Sequence, residues 1–215
     1  MTLQAKICGI NSRRALDAAI AGGAAFVGFV FYPRSPRVLT PAAAAELAAA
    51  VPPGIRKVAL VVDEPDERLA EILAALTIDM LQLHGKETPA RVGDIKKRFG
   101  LPVMKAISIA AAADLATAKD YFDVADWLLF DAKPPPQMTD ALPGGNALSF
   151  DWQLLAGGTW PLPWMLSGGL NEGNLAEAVR ISGAGVVDVS SGVEDKPGLK
   201  SPAKIAAFLE LAARL

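Results

Sequence analysis

The sequence predicts an α/β fold, a single (β/α)8 TIM barrel over residues 1–215, on three observations. Eight short β-rich runs each precede a stretch with helical spacing or Ala-rich composition. Strand and helix alternate throughout, the pattern of a parallel sheet covered by helices. The length, 215 residues with 52% apolar content, suits one sizeable core with short loops, slightly under the ~250 residues usual for eight such units. An open doubly wound sheet is the alternative. It is weakened because no Gly-x-Gly-x-x-Gly follows the first strand.

The strands are expected, in order, at AKICGI, AFVGFVF, KVALVV, MLQLH, PVMKAI, WLLFDA, WMLSG and VVDVSS. After the first, SRRALDAAIAGG reads as a helix capped by Ser12 and stopped at Gly22-Gly23. PAAAAELAAAV follows the second, with Pro41 in its first turn and alanines that favour helix over disorder. The remaining helices are expected at DERLAEILAALTI, ETPARVGDIKKRFG, AAADLATAKDYF, SFDWQLLAGG, NEGNLAEAVRISGAG and SPAKIAAFLELAARL. One long connection interrupts this economy: residues 132–149, rich in Pro and Gly, read as a lid directly after the sixth strand.

Composition narrows the function. Lys and Arg total 21 against 23 Asp and Glu, with no basic block, so no nucleic-acid partner is expected. One cysteine and one histidine leave no disulfide framework and too few soft ligands for structural zinc, so no metal is expected. No apolar run approaches the ~20 residues needed to cross a bilayer, and the start lacks a signal-like pattern. The expectation is a cytoplasmic protein with a small-molecule partner, working without membrane contact as a monomer or weak homodimer.

Strand parity locates the candidate chemistry. Alternate side chains of a barrel strand point to the axis, and polar residues within apolar strands betray that inner set. With Ile7, Leu81, Leu83, Val187 and Val189 turned to the helices, the inward residues are Lys6, Cys8, Gln82, His84, Asp188 and Ser190. The same rule is expected to bring Lys105 and Asp131 inward. Active sites of such barrels lie at the C-terminal strand ends, so Cys8, His84, Asp131 and Asp188 should converge on one mouth. LSGGL after the seventh strand and SSGVE after the eighth can surround a dianion with backbone N–H groups, so the ligand is expected to carry a phosphate.

In this order, KICGI, GFVFYPRSPR, LQLHG, FDAK, GG-x-x-x-x-FDW, LSGGL and VDVSSGVE make the chain resemble the phosphoribosylanthranilate isomerases, barrel enzymes of tryptophan biosynthesis. The resemblance spans nearly the whole chain. It implies an Amadori rearrangement of N-(5-phosphoribosyl)anthranilate without metal or organic cofactor. Asp131 matches the general acid that protonates the ribose ring oxygen, and Cys8 the general base that removes the C2 proton. Arg37 matches the contact to the anthranilate carboxylate. Gly168, Gly169, Ser190, Ser191 and Gly192 match the phosphate site, and His84 and Asp188 the residues at the substrate's hydroxyls. A thiol near its ordinary ~8.5 is only a few per cent ionised at neutral pH, so Cys8 needs nearby positive charge, for which Lys6 is a candidate. A related phosphate-binding barrel such as indoleglycerol-phosphate synthase, and a non-catalytic phosphosugar sensor, are the competing readings.

Overall fold

A computed structural model describes residues 2–135, 137–138 and 142–215. Eight parallel strands close on themselves in sequence order, β1-β2-β3-β4-β5-β6-β7-β8. They are β1 Gln4–Cys8, β2 Phe26–Val30, β3 Arg56–Val61, β4 Met80–Leu83, β5 Val103–Ile109, β6 Trp127–Ala132, β7 Trp164–Leu166 and β8 Val186–Val189. Closure is made by β1 against β8, with Lys6 opposite Asp188 and Ile7 opposite Val189.

The helices start and stop where local chemistry directs. In α1 (Arg13–Ala21) the Ser12 hydroxyl accepts from the Ala15 N–H, and Gly22 caps the far end. Thr40 does the same for α2 (Pro41–Ala48), whose first residue is proline. The clearest case is α4 (Pro89–Phe99): Thr88 caps its start, Lys96, Lys97 and Arg98 face its negative end, and Gly100 adopts φ 64° to terminate it. Removing a cap such as Thr88 costs about 1 kcal/mol. The other helices are α3 (Asp66–Ala75), α5 (Ala112–Ala116), α6 (Leu175–Ser182) and α7 (Pro202–Arg214).

Two apolar layers hold the barrel. Between sheet and helices lie Ile7, Leu81, Leu83, Phe130, Val187 and many others. Inside the barrel, Phe26, Val58, Met80, Met104, Leu129 and Met165 pack together. Fully burying each such side chain contributes about 1.5–3 kcal/mol. The inner cluster fills the lower barrel, so Gln82, Asp131 and Ser167, two positions beyond Met80, Leu129 and Met165, and His84, four beyond Met80, stand above it, toward the C-terminal mouth.

Three sequence expectations change. SFDWQLLAGG forms only a 3-10 turn at Trp152–Leu155 rather than a helix, because Gly157-Gly158 cut off any further turn. AAADLATAKDYF splits into α5 and a 3-10 segment, Thr117–Tyr121. A hairpin of β9 (Glu194–Lys196) and β10 (Leu199–Lys200), unforeseen, stands between β8 and α7. Its signal was present in KPGLK, since Pro-Gly favours a tight turn, and Gly198 has φ 80°. Among the described residues no helix is long and apolar enough to cross a membrane.

Candidate active site

The mouth is built from β1 outward. Lys6 and Cys8 point into the barrel and are 0% and 3% exposed. Room for them comes from Gly28 on the neighbouring strand: a Cβ there would meet the Cys8 Sγ at 3.0 Å and Lys6 Cε at 3.3 Å. Lys6 donates to Asp188 Oδ1 at 2.8 Å, and the Ser167 hydroxyl donates to Asp188 Oδ2 at 3.2 Å. Burial pushes the Cys8 thiol up; the Lys6 cation opposes this, Asp188 reinforces it, and Lys200 opposes it weakly. Lys6 therefore supplies the expected positive charge, yet the thiol still lies above its ordinary range.

Opposite, β4 and β6 place a chain of polar groups. Gln82 Nε2 lies 3.0 Å from His84 Nδ1, and His84 Nε2 lies 3.2 Å from Asp131 Oδ2. With the Gln82 amide donating, Nδ1 accepts, so the ring proton sits on Nε2 and points at Asp131. Asp131 Oδ1 accepts from the Ala132 N–H at 2.9 Å. Both carboxyl oxygens are thus held before any ligand arrives.

Arg37 follows β2 and is 4% exposed, whereas Arg34 in the same PRSPR stretch is exposed. Its Nε and Nη2 donate to the two Glu194 oxygens at 2.7 and 2.8 Å, and Nη2 also reaches the Gly145 carbonyl at 3.2 Å. Lys200 Nζ donates to Glu194 Oε1 at 2.8 Å and to the Ser190 carbonyl at 2.8 Å. Burial drives Glu194 up, but the Arg37 hydrogen bonds and the Lys200 charge outweigh it and hold the carboxyl below its usual range. Burial also pulls Lys200 below the usual lysine range, with Glu194 resisting.

One cavity is lined by Cys8, Arg37, His84, Asp131 and Asp188 together with Gly168, Gly169, Ser190 and Ser191. Gly168 and Gly169 adopt φ 91° and 63°, so the loop after β7 turns its backbone toward the cavity. Gly192 does not line it; it packs against the carbonyl of Leu170, in the loop after β7. Residues 142–146 cover the opening, with Gly144 against Asp131 and His84 and Gly145 against Arg37. Of the expected lid, residues 136 and 139–141 lie outside the described residues.

Lys105 is a correction to the parity reading. Its strand neighbours Met104 and Ala106 belong to the inner cluster, while Val103 and Ile107 face the helices, so Lys105 points outward. Its ammonium donates to Glu87 Oε2 at 2.9 Å and to the Gly85 carbonyl at 2.7 Å. In an almost continuously apolar strand a single lysine does not set the parity, because acceptors just beyond the helix-facing side can satisfy it. Glu194, Lys200 and Gly28 were not singled out from sequence. Glu194 stood within the SSGVE motif, and Lys200 beside the Pro-Gly turn. Among the described residues no three His, Cys, Asp or Glu side chains gather as a metal site.

A closed eight-stranded barrel with thiol, carboxyl and imidazole groups gathered at its C-terminal mouth defines an enzyme of the (β/α)8-barrel class. Within that class the family model for N-(5'-phosphoribosyl)anthranilate (PRA) isomerase matches residues 5–211. The chain belongs to that family. It is 59% identical to an N-(5'-phosphoribosyl)anthranilate isomerase of Rhodospirillum centenum over 215 residues, covering 100% of both chains. The phosphoribosyl anthranilate isomerase of Thermotoga maritima superposes with a TM-score of 0.87 at 32% identity, over 99% of this chain and 100% of the other. A structure of such an isomerase in complex with reduced 1-(o-carboxyphenylamino)-1-deoxyribulose 5-phosphate superposes with a TM-score of 0.83 at 31% identity, over 99% and 100%.

Proposed function

We propose that this chain converts N-(5-phosphoribosyl)anthranilate to 1-(2-carboxyphenylamino)-1-deoxyribulose 5-phosphate in tryptophan biosynthesis, with Asp131 as general acid and Cys8 as general base. The observation that carries the assignment is that Cys8 on β1 and Asp131 on β6 line one cavity from different sides of the barrel. A sugar held between them presents its ring oxygen to one group and C2 to the other.

Asp131 gives its proton to the ring oxygen, the C1–O bond breaks, and the nitrogen lone pair forms the iminium ion. The Cys8 thiolate then takes the C2 proton, and the C2–H electrons neutralise the iminium as an enolamine, which tautomerises to the ketone. His84 Nε2–H and the Ala132 N–H are in place to hold the Asp131 carboxylate once its proton has left. His84, engaged at both ring nitrogens, serves the acid first and the substrate hydroxyls only by rearranging. The Asp188 carboxylate borders the cavity where a sugar hydroxyl can donate to it.

Arg37 keeps Nη1 free of Glu194 and binds the anthranilate carboxylate. The loops at Gly168, Gly169, Ser190 and Ser191 hold the phosphate through their backbone, with Gly192 supporting the second loop from behind.

Loss of anthranilate fluorescence on mixing with freshly generated phosphoribosylanthranilate tests reaction and substrate together. Cys8→Ala and Asp131→Asn should each lower kcat by roughly 10²–10⁴-fold while a reduced product analogue still binds. Wild-type kcat in either variant would remove that residue from its role.

A further inference from the structure

The β9–β10 hairpin brings two residues to the site that the reaction as described does not use, Glu194 and Lys200. Every lone-pair direction of the Glu194 carboxylate is taken. Oε1 accepts from Arg37 Nε at 2.7 Å and Lys200 Nζ at 2.8 Å; Oε2 accepts from Arg37 Nη2 at 2.8 Å and the Gly198 N–H at 3.3 Å. Lys200 is equally committed. Its three donors go to Glu194, to the Ser190 carbonyl at 2.8 Å and to the Ser190 hydroxyl at 3.1 Å. Ser190 in turn donates to the Cys8 carbonyl at 3.2 Å. Lys200 cannot reach a ligand without leaving these partners.

The charges of this cluster do not cancel. Arg37, Lys200 and Glu194 have side chains only 5%, 0% and 3% exposed, so two cations share one carboxylate with little solvent to screen them. Without Lys200, the Arg37–Glu194 pair would be neutral, and an anion approaching Arg37 would meet a guanidinium already compensated by a buried carboxylate. With Lys200 present, one positive charge remains, and Arg37 is the member that borders the cavity.

We propose that Lys200, acting through Glu194, is a positioning residue of the site: Glu194 fixes the Arg37 fork, and Lys200 neutralises Glu194 so that Arg37 keeps its charge for an aromatic carboxylate of the substrate. This rests on the reading of Arg37 as the carboxylate contact. Lys200 also ties the strand end that carries Ser190 to the same carboxylate, so the two ends of the substrate are held by one buried network.

The test is calorimetric titration with two probes, reduced 1-(2-carboxyphenylamino)-1-deoxyribulose 5-phosphate and its phenylamino counterpart lacking the carboxylate. Lys200→Met should weaken the carboxylated probe by about tenfold or more beyond any loss that the other probe suffers through Ser190. In Glu194→Gln/Lys200→Met the net charge returns to that of Arg37 alone, and much of the lost affinity should return. Equal weakening of both probes by Lys200→Met, or a double variant that binds worse than the single one, would overturn the proposal and leave Lys200 a structural residue. Equal affinity of the unaltered protein for the two probes would instead remove the carboxylate contact itself, whatever the variants do. Should Lys200→Met loosen the hairpin, the double variant, with no unmatched carboxylate, keeps the comparison readable.

Discussion

Lys6 Nζ lies 2.8 Å from Asp188 Oδ1 inside the barrel, and the two residues are direct partners in the β1–β8 register that closes it. The seam of the barrel is therefore joined by an ion pair as well as by backbone hydrogen bonds. A fully buried pair is weak support for stability, since well-packed apolar residues of the same volume often do as well. What the pair offers here is chemical. Burial alone would pull Lys6 down, but Asp188 and Cys8 outweigh it and keep the ammonium charged beneath the thiol.

Breaking that pair from one side should be costly. Asp188→Asn leaves the ammonium of Lys6, 0% exposed, without a counter-charge, and about 3–5 kcal/mol of stability should be lost in urea unfolding. Lys6→Met combined with Asp188→Leu should recover most of that stability while activity stays low. An Asp188→Asn protein as stable as the parent would show that water or rearrangement satisfies Lys6.

How far the sequence reaches is plain from individual strands. In β4, leucines alternate with Gln82 and His84, and that contrast sets the inward face correctly; in β8 the valines do the same for Asp188. In β5 there is no such contrast, and polarity alone turns Lys105 to the wrong side. Helices with a cap and a stop, such as α1 and α4, are legible because those signals are local. The 3-10 turn at Trp152–Leu155 is not, because an apolar run of that length carries no sign of where its backbone hydrogen bonds end. The Arg37–Glu194–Lys200 cluster joins residues over 150 positions apart, a relationship that strand parity does not encode.

Acid stability should report Glu194. Its carboxyl is held below the ordinary glutamate range, near ~4.3, by Arg37 and Lys200 against the opposing effect of burial. A depressed carboxyl contributes stability above its unfolded value, and that contribution is lost as pH falls through the folded one. Unfolding free energy of the parent protein should therefore drop as pH is lowered from about 5 toward 3. In Glu194→Gln this drop should be shallower, from a starting point about 3–5 kcal/mol lower at neutral pH. Parallel pH curves for the two proteins would show that Glu194 does not report the pairing.

The covering segment makes a steric prediction at Gly144. A Cβ there would lie 2.7 Å from Asp131 Oδ2 and 2.8 Å from His84 Cε1. Either the segment or the Asp131–His84 pair must move. Gly144→Ala should leave stability within about 0.5 kcal/mol, as is usual for a surface connection, yet lower kcat by roughly 10–100-fold through misplacement of Asp131. Steady-state rates and thermal unfolding measured on the same preparation separate the two effects. An unchanged kcat would place the segment away from the reacting geometry.

The thiol sets the last prediction. Three charged groups act on Cys8: Lys6 on its own strand and Lys200 on the hairpin favour the thiolate, Asp188 on β8 disfavours it, and burial, the largest influence, raises the thiol above its ordinary value. If Cys8 is the base, kcat/KM must rise with pH as the thiolate forms in the free protein, so the rising limb belongs on the alkaline side of neutrality. Lys200→Met removes a cation that stabilises the thiolate and should move that limb to higher pH. Cys8→Ser, with a hydroxyl that does not ionise in this range, should abolish the limb together with most of the rate. The profile of kcat/KM between about pH 6 and 10 decides it: a limb unmoved by Lys200→Met would separate the hairpin charge from the thiol, and a limb surviving in Cys8→Ser would assign the base to another group.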